Sequence, residues 1–99
     1  MTAYRRRAEI QEAPYDGELI LFNPKNWHTV SLNSSAAAFW EALTWPQTAV
    51  ELRNLLREAE PALAEEECSL RIDTLLTALL THDLIEPVGK LLSVNNPPT

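Results

Sequence analysis

The sequence predicts an α+β fold in which a three-stranded antiparallel sheet packs on three helices. Two patterns support this prediction. The first third of the chain consists of short strand-like segments separated by turn residues, and the remainder carries apolar residues at helical spacing. A run of strands followed by a run of helices is typical of α+β domains. The length of 99 residues favours one domain with one core.

Three segments in the first third have strand character. They are residues 9–11, 18–22 and 27–32. Pro14 is expected to end the first strand, and Asp16-Gly17 is a turn signal because glycine tolerates the positive φ of tight turns. Residues 23–26 (Asn-Pro-Lys-Asn) form a second turn. Short connections of this kind predict an antiparallel meander.

Three helices are predicted in the remainder of the chain. Asn33 or Ser34 caps the first, which ends near Pro46. Thr48 and Glu51 form a capping box for the second, and Glu65–Glu67 suit the start of the third because negative charge favours that end of a helix. The apolar stripes are Ala36, Phe39, Trp40 and Leu43, then Leu52, Leu55, Leu56 and Ala59, then Cys68, Ile72, Leu75, Leu76 and Leu79.

The expected organisation is an N-terminal arm (residues 1–8), one domain (residues 9–88) and a C-terminal tail (residues 89–99). The basic cluster Arg5-Arg6-Arg7 is interpreted as a solvated arm or strand edge. No apolar run reaches the roughly 18–20 residues of a membrane span, and the N-terminus lacks a signal-peptide pattern. Since one cysteine cannot form an internal disulfide, we expect a cytoplasmic protein without membrane contact.

The charge balance argues against nucleic-acid binding. Eight basic and fourteen acidic side chains give a formal net charge of −6. Nucleic-acid binders normally show the reverse, because neutralising phosphates requires clustered Lys and Arg.

The sequence also lacks the spacings that catalytic and metal sites need. His28 and His82 lie far apart, and Cys68 has no second cysteine to complete a Cys-x-x-Cys pair. His82 beside Asp83 could serve as an oriented base, but a histidine at a helix end more often complements the helix dipole. We therefore expect a protein that is not an enzyme and holds no metal or cofactor.

Three stretches of the sequence resemble the PqqD-like family. They are Glu18-Leu19-Ile20-Leu21-Phe22, the run from Thr29 to Ala36, and Phe39-Trp40-Glu41-Ala42-Leu43. The second helix start at Thr48 and the exit at residues 84–85 also match, so the resemblance covers about residues 9–87. Two positions depart from the family pattern: Arg71, where an acidic residue is common, and Asp83, where glycine is frequent.

This resemblance implies a winged-helix-like fold and a role in peptide recognition. Members of the family, alone or fused to enzymes, bind the leader segment of a ribosomally synthesised precursor peptide and present it to modifying enzymes. The implied partners are therefore a precursor peptide and an enzyme such as a radical SAM protein, a cyclase or cyclodehydratase, or a leader protease.

The predicted binding mode is β-augmentation, in which an extended peptide pairs with the free edge of the third strand. The third helix would form the opposite wall, and we favour its Arg71 flank over the flank of Asp73 and Thr77. Arg71 is expected to pair with an acidic leader residue, and small side chains beside it would leave room for the peptide. The candidate residues are Trp27, His28, Thr29, Val30, Ser31, Leu32, Arg71, Thr74, Leu75 and Ala78.

Two other classes of protein remain as alternatives. A winged-helix DNA-binding regulator would use the second and third helices, although the third helix carries few side chains suited to reading bases. A self-associating scaffold, such as a homodimer, would pair the exposed strand edge, or Trp27 and Trp45, with a second copy.

Overall fold

The computed structural model describes residues 2–88, which form two three-stranded antiparallel sheets and three helices. In chain order the elements are β1 (Ala3–Arg6), β2 (Gln11–Tyr15), β3 (Glu18–Phe22), β4 (Thr29–Leu32), α1 (Ser34–Ala42), β5 (Gln47–Thr48), α2 (Ala49–Ala59), α3 (Glu65–Thr81) and β6 (Ile85–Val88). The predicted α+β class and the order of the helices are confirmed. The C-terminal tail predicted for residues 89–99 lies outside the described part of the chain.

The predicted meander is the sheet β2-β3-β4. Its first hairpin turns at Asp16 and Gly17, whose φ angles of 52° and 80° lie in the left-handed region that glycine tolerates best. Along β3, Leu21 is fully buried against the helices, whereas Ile20 belongs to the opposite face by the alternation of a strand. The helices therefore cover one face of this sheet, which we call its inner face.

The predicted helix starts are confirmed at two caps. The side chain of Asn33 accepts a hydrogen bond from the Ala36 amide at 2.9 Å. At α2, the hydroxyl of Thr48 accepts from the Glu51 amide at 3.1 Å, and the Glu51 carboxylate accepts from the Thr48 amide at 2.8 Å. This reciprocal pair satisfies two amides that would otherwise lack partners within the helix. The buried core joins the three helices to both sheets, through Leu21, Leu32, Trp40, Leu43, Leu52, Leu56, Cys68, Ile72, Leu76, Leu79, Leu84 and Ile85.

The second sheet, with the order β5-β1-β6, was not predicted. The expectation that residues 1–8 form an arm is wrong for residues 3–6, because β1 is the central strand of this sheet and Ala3 is fully buried. The arginines of the predicted basic cluster are engaged by carboxylates. Arg5 contacts Glu86 at 3.1 Å, and Arg7 contacts Glu9 at 2.8 Å.

The first predicted strand is also displaced. It runs over Gln11–Tyr15 rather than residues 9–11, and it passes through Pro14 instead of ending there. Within residues 2–88, no helix combines the length and the apolar character needed to cross a membrane.

Candidate functional site

The outer strand β4 presents a free edge, because it pairs with β3 alone. Opposed residues of an antiparallel pair alternate between hydrogen-bonded and non-hydrogen-bonded positions. The Asn23 amide donates to the His28 carbonyl at 3.0 Å, so this pair occupies a bonded position. By alternation, the backbones of Val30 and Leu32 bond to β3, and those of Thr29 and Ser31 point to the free edge.

Pro14 fixes the same alternation independently. It lies opposite Leu19, and because proline has no N–H it cannot donate a backbone hydrogen bond to that residue. The backbone of Leu19 must therefore point away from β2 and towards Leu32, its partner in β4. Thr29 and Ser31 together offer two N–H and two C=O groups to an added strand.

The other sheet edges in residues 2–88 are less suitable for pairing. Pro14 occupies an outward position on the edge of β2, and Pro87, which lies opposite Tyr4, occupies an outward position on the edge of β6. Strand β5 has only two residues. Proline and short length are common ways to prevent edge-to-edge pairing. Among the sheet edges within residues 2–88, β4 is thus the one that is longer than two residues and contains no proline.

A stripe along α3 faces this edge. Arg71, Leu75, Ala78 and His82 follow one another at helical spacing along α3 and its C-cap. At one end of the stripe, the Nδ1 atoms of His82 and His28 lie 3.0 Å apart. At the other end, Arg71 and Leu75 line a cavity of about 340 Å³ together with Asn33, Ser35, Ala36, Phe39, Leu56, Glu60 and Ile72.

These two contacts orient α3 antiparallel to β4. His28 comes just before β4 and meets the C-terminal end of α3, whereas Asn33 comes just after β4 and meets the N-terminal half of α3. We call the space between β4 and residues 71–82 the groove. The contacts place the Arg71 flank of α3, rather than the flank of Asp73 and Thr77, along the groove.

The turn between β3 and β4 is attached to the end of α3 by asparagine side chains. The Nδ2 of Asn23, a residue only 1% exposed, donates to the carbonyls of His82 and Asp83 at 3.3 and 2.9 Å. Asn26 also donates to the His82 carbonyl, at 3.3 Å. These bonds set the separation of β4 and α3 at this end of the groove. The contact between His28 and His82 adds a hydrogen bond in which one Nδ1 donates and the other accepts.

Several predicted site residues lie elsewhere than expected. The prediction that Trp27 and His28 belong to the third strand is wrong, since β4 begins at Thr29 and Trp27 has a φ of 65°. The indole of Trp27 is 77% exposed and meets the Phe22 ring edge-on, with 5.7 Å between ring centroids. Phe22 belongs to the face of the sheet opposite the helices, so Trp27 lies outside the groove. His28 remains at the groove, as its end contact with His82.

On the helix side, Thr74 and Ala78 are exposed and Leu75 is half-buried. The predicted pairing of Arg71 with an acidic peptide is weakened by the contacts that Arg71 already makes. Its guanidinium lies 3.3 Å from the Glu67 carboxylate and 3.5 Å from that of Glu60. This end of the groove is therefore net negative, which disfavours an acidic ligand.

Four residues that shape the groove were not among the predicted site residues. The sequence predicted a turn residue in Asn23, a helix cap in Asn33, a core residue in Ala36 and a helix-end residue in His82. One signal could have suggested the His82 contact. By strand alternation His28 falls on the same face as Val30 and Leu32, so a partner on the helix side was to be expected.

Other polar groups have local roles. Cys68 is fully buried in the core.

The hydrogen bond from Arg7 lowers the pKa of the Glu9 carboxyl, and the same bond raises the pKa of Arg7. Both residues lie away from the groove, between β1 and β2. In the part of the chain that the structure describes, no three His, Cys, Asp or Glu side chains are grouped so as to hold a metal ion.

The fold and the groove define a small winged-helix-like domain with one open strand edge beside a helix. The chain belongs to the PqqD family, since the model of the family described as coenzyme PQQ synthesis protein D matches residues 18–85. The match begins at β3 and ends in β6, and so includes both walls of the groove. A search of the curated proteins gives no match.

Two solved structures share the fold. TbiB1, in a complex with the TbiA(beta) leader peptide, is 18% identical and superimposes with a TM-score of 0.69, covering 83% of this chain and 94% of its own. Lasso peptide synthetase B1, complexed with the leader peptide, is 21% identical and superimposes with a TM-score of 0.68, covering 85% of this chain and 98% of its own. At these identities the likeness concerns the fold.

Proposed function

We propose that this protein binds the leader segment of a ribosomally synthesised precursor peptide by adding it as a strand to β4. The observation that carries this proposal is the open edge of β4, which has outward backbone groups at Thr29 and Ser31 and has α3 beside both of its ends. Membership in the PqqD family and the fold shared with two proteins that were solved with leader peptides support the choice of ligand.

Backbone pairing supplies only part of the required affinity. Four hydrogen bonds at about 0.5–1.5 kcal/mol each contribute about 2–6 kcal/mol, while ordering a disordered peptide costs about 2–5 kcal/mol. Net affinity must therefore come from side chains that enter the groove. Peptide residues opposite Val30 and Leu32 would point to the inner face, towards Leu75 and the cavity beside Ala36.

The proposed contact residues follow from this geometry. Strand β4 supplies the pairing edge through Thr29, Val30, Ser31 and Leu32, and α3 supplies the wall through Arg71, Thr74, Leu75 and Ala78. His28 closes one end of the groove through its contact with His82. Trp27 is left out of the contact set because its indole lies on the opposite face of the sheet.

The protein acts in this proposal as a binding partner of a cytoplasmic peptide-modifying enzyme, such as a radical SAM protein, a cyclase or a leader protease, and has no catalytic activity of its own. The groove has the features of a docking site, an open backbone edge and a half-apolar wall. Its polar end groups are the His28–His82 pair and the ion pairs of Arg71.

The substitution Ser31→Pro tests the binding mode. Because the Ser31 backbone points outward, proline there removes a donor from the free edge and leaves the bonds between β3 and β4 in place, as Pro14 does on β2. Fluorescence anisotropy with labelled peptides tiling the precursor encoded beside this chain's gene should show an affinity reduced more than about tenfold.

Ser31→Ala is the matched control. It removes the hydroxyl that donates to Glu18 but keeps the backbone N–H, so its affinity should stay within about threefold of wild type. Circular dichroism should show that both variants are folded. The proposal fails if the wild type binds none of the tiled peptides at high micromolar concentration, or if a folded Ser31→Pro variant binds as tightly as Ser31→Ala.

A further inference from the structure

The two histidines of the chain meet at one end of the groove. His28 lies just before β4 and His82 is the C-cap of α3, and the two positions are 54 residues apart in sequence. Their Nδ1 atoms lie 3.0 Å apart, and the ring planes are inclined at 79° with 4.9 Å between the ring centroids. His28 is exposed and His82 is half-buried, so an ion from solvent can reach the pair.

Two asparagines fix the backbones of both histidines. The Oδ1 of Asn26 accepts from the His28 amide at 2.9 Å, and its Nδ2 donates to the His82 carbonyl at 3.3 Å. Asn23 also bonds to both, because its amide donates to the His28 carbonyl at 3.0 Å and its Nδ2 donates to the His82 carbonyl at 3.3 Å. The separation of the two rings is therefore set in advance, which lowers the free-energy cost of binding a ligand between them.

The distance between the two nitrogens suits a pair of ligands on one metal ion. Imidazole nitrogens bind Zn²⁺ at about 2.0–2.1 Å, so two of them lie about 2.8–3.0 Å apart at a right angle and about 3.3–3.4 Å apart in tetrahedral geometry. The observed 3.0 Å matches the first arrangement, and a small opening of the pair reaches the second. Imidazole suits Zn²⁺, Ni²⁺ and Cu²⁺, whereas Mg²⁺ and Ca²⁺ prefer oxygen ligands.

The hydrogen bond of the pair is compatible with exchange for a metal ion. In the metal-free pair one Nδ1 carries a proton and the other accepts it. Binding through both Nδ1 atoms requires this proton to move, by exchange with water, to the Nε2 of the same ring. Both imidazoles then remain neutral with an Nε2–H group, and each offers the lone pair of its Nδ1 to the metal.

We propose that His28 and His82 bind one Zn²⁺ or other late first-row divalent cation through their Nδ1 atoms. Within residues 2–88 the pair has no third His, Cys, Asp or Glu ligand grouped with it, so water would complete the coordination. The formal net charge of −6 favours the approach of a cation. The site goes beyond peptide binding, and a bound ion would join the β3–β4 turn to α3 at the end of the groove.

Calorimetric titration of the tag-free protein with Zn²⁺ tests the proposal. His28→Ala and His82→Ala are matched controls for each other, because each keeps one imidazole and every other metal-binding group of the chain. Since a chelate needs both rings, each variant should lose affinity at least about tenfold, and the double variant should bind little more weakly than either. Mg²⁺ should not compete with Zn²⁺.

Circular dichroism should show that the variants are folded. A single variant that binds Zn²⁺ as tightly as the wild type would overturn the proposal, because the ion would then be held by one imidazole or by other groups. Absence of Zn²⁺ binding to the wild type at high micromolar concentration would overturn it as well.

Nitrogen NMR of the imidazole rings adds a test on the wild-type protein. The chain has two histidines, so the two single variants assign the signals. Zn²⁺ should shift the Nδ1 signals of both rings in one titration, and both Nε2 signals should become those of an N–H nitrogen. A shift in one ring alone, or binding through Nε2, would contradict the proposal. Because no peptide is present, these results do not depend on whether the protein binds a leader.

Discussion

At the scale of single residues, Asn23 is one of two buried polar residues in the part of the chain that the structure describes, and it connects the β3–β4 turn to the end of α3. Its amide group donates to the carbonyls of His82 and Asp83, and its carbonyl oxygen accepts from the Lys25 amide at 2.9 Å. Removing it takes one donor from each of these carbonyls and leaves Asn26 and the contact between His28 and His82 to hold the β3–β4 turn against the end of α3. Asn23→Ala should therefore lower the free energy of unfolding by about 2–3 kcal/mol.

Urea unfolding followed by tryptophan fluorescence measures this loss. Asn54→Ala, at an exposed position on α2, is the control and should change stability by less than about 0.5 kcal/mol. Equal midpoints for the two variants would contradict the role assigned to Asn23.

Glu9 gives a prediction about pH. The hydrogen bond from Arg7 lowers its pKa in the folded protein below the ordinary value, so the bond stabilises the fold above that value and the contribution is lost as pH falls through the lowered pKa. Glu9→Gln should reduce the urea midpoint at pH 7, and the difference from wild type should shrink on acidification below about pH 4. Glu58→Gln, at an exposed position of α2, is the control and should change the urea midpoint little at pH 7. A difference for Glu9→Gln that is constant with pH would contradict the assignment.

At the scale of elements, the helices and the central strand β3 were predictable, and the boundaries of the edge strands β2 and β4 were not. The helix starts are encoded locally by Asn33 and Thr48, whose caps form with residues three positions away. The edge strands depend on pairing at a distance. Pro14 is compatible with β2 only because its position faces outward, and Trp27 leaves β4 because the turn gives it a positive φ. The strand pattern of the third predicted strand indicated the β4 wall of the groove. Which flank of α3 forms the opposite wall became clear only from the contacts of α3 with His28 and Asn33.

The groove can be tested at this scale with a pair of substitutions on α3. Ala78 lies on the stripe between Leu75 and His82, and Thr77 is also exposed but lies on the other flank. Ala78→Glu places a bulky charge in the path of the peptide, between Leu75 and the contact of His82 with His28. Its affinity for the leader should fall at least about tenfold, whereas Thr77→Glu should change it less than about threefold. Changes in the backbone amide chemical shifts on titration with the leader peptide would locate the contact. Equal losses of affinity in the two variants would exclude the Arg71 flank of α3 as the wall of the groove.

At the scale of the whole molecule, the two sheets are joined through Trp40. Its indole donates to the Glu12 carboxylate of β2 at 2.9 Å, and the Arg6 guanidinium of β1 lies 5.5 Å from the ring centroid. Arg6 also contacts Glu12 at 3.2 Å, which closes a link between β1, β2 and α1. The second sheet was not predictable, because it assembles segments of two to four residues from three distant parts of the chain, none long enough to show a periodic pattern.

This assembly makes the N-terminal strand part of the cooperative fold. Ala3 is fully buried at the centre of the second sheet, whereas its neighbour Thr2 is exposed. Ala3→Asp would bury a carboxylate without a partner and should destabilise the protein by about 3 kcal/mol or more, while Thr2→Asp should be nearly neutral. Urea unfolding of Ala3→Asp can be monitored by tryptophan fluorescence and by far-ultraviolet circular dichroism. Because Trp40 connects the two sheets, both signals should change in one coincident transition, with a midpoint at a lower urea concentration than that of the wild type. A tolerated Ala3→Asp, or an early separate loss of strand signal, would show that residues 3–6 behave as the independent arm first expected from the sequence.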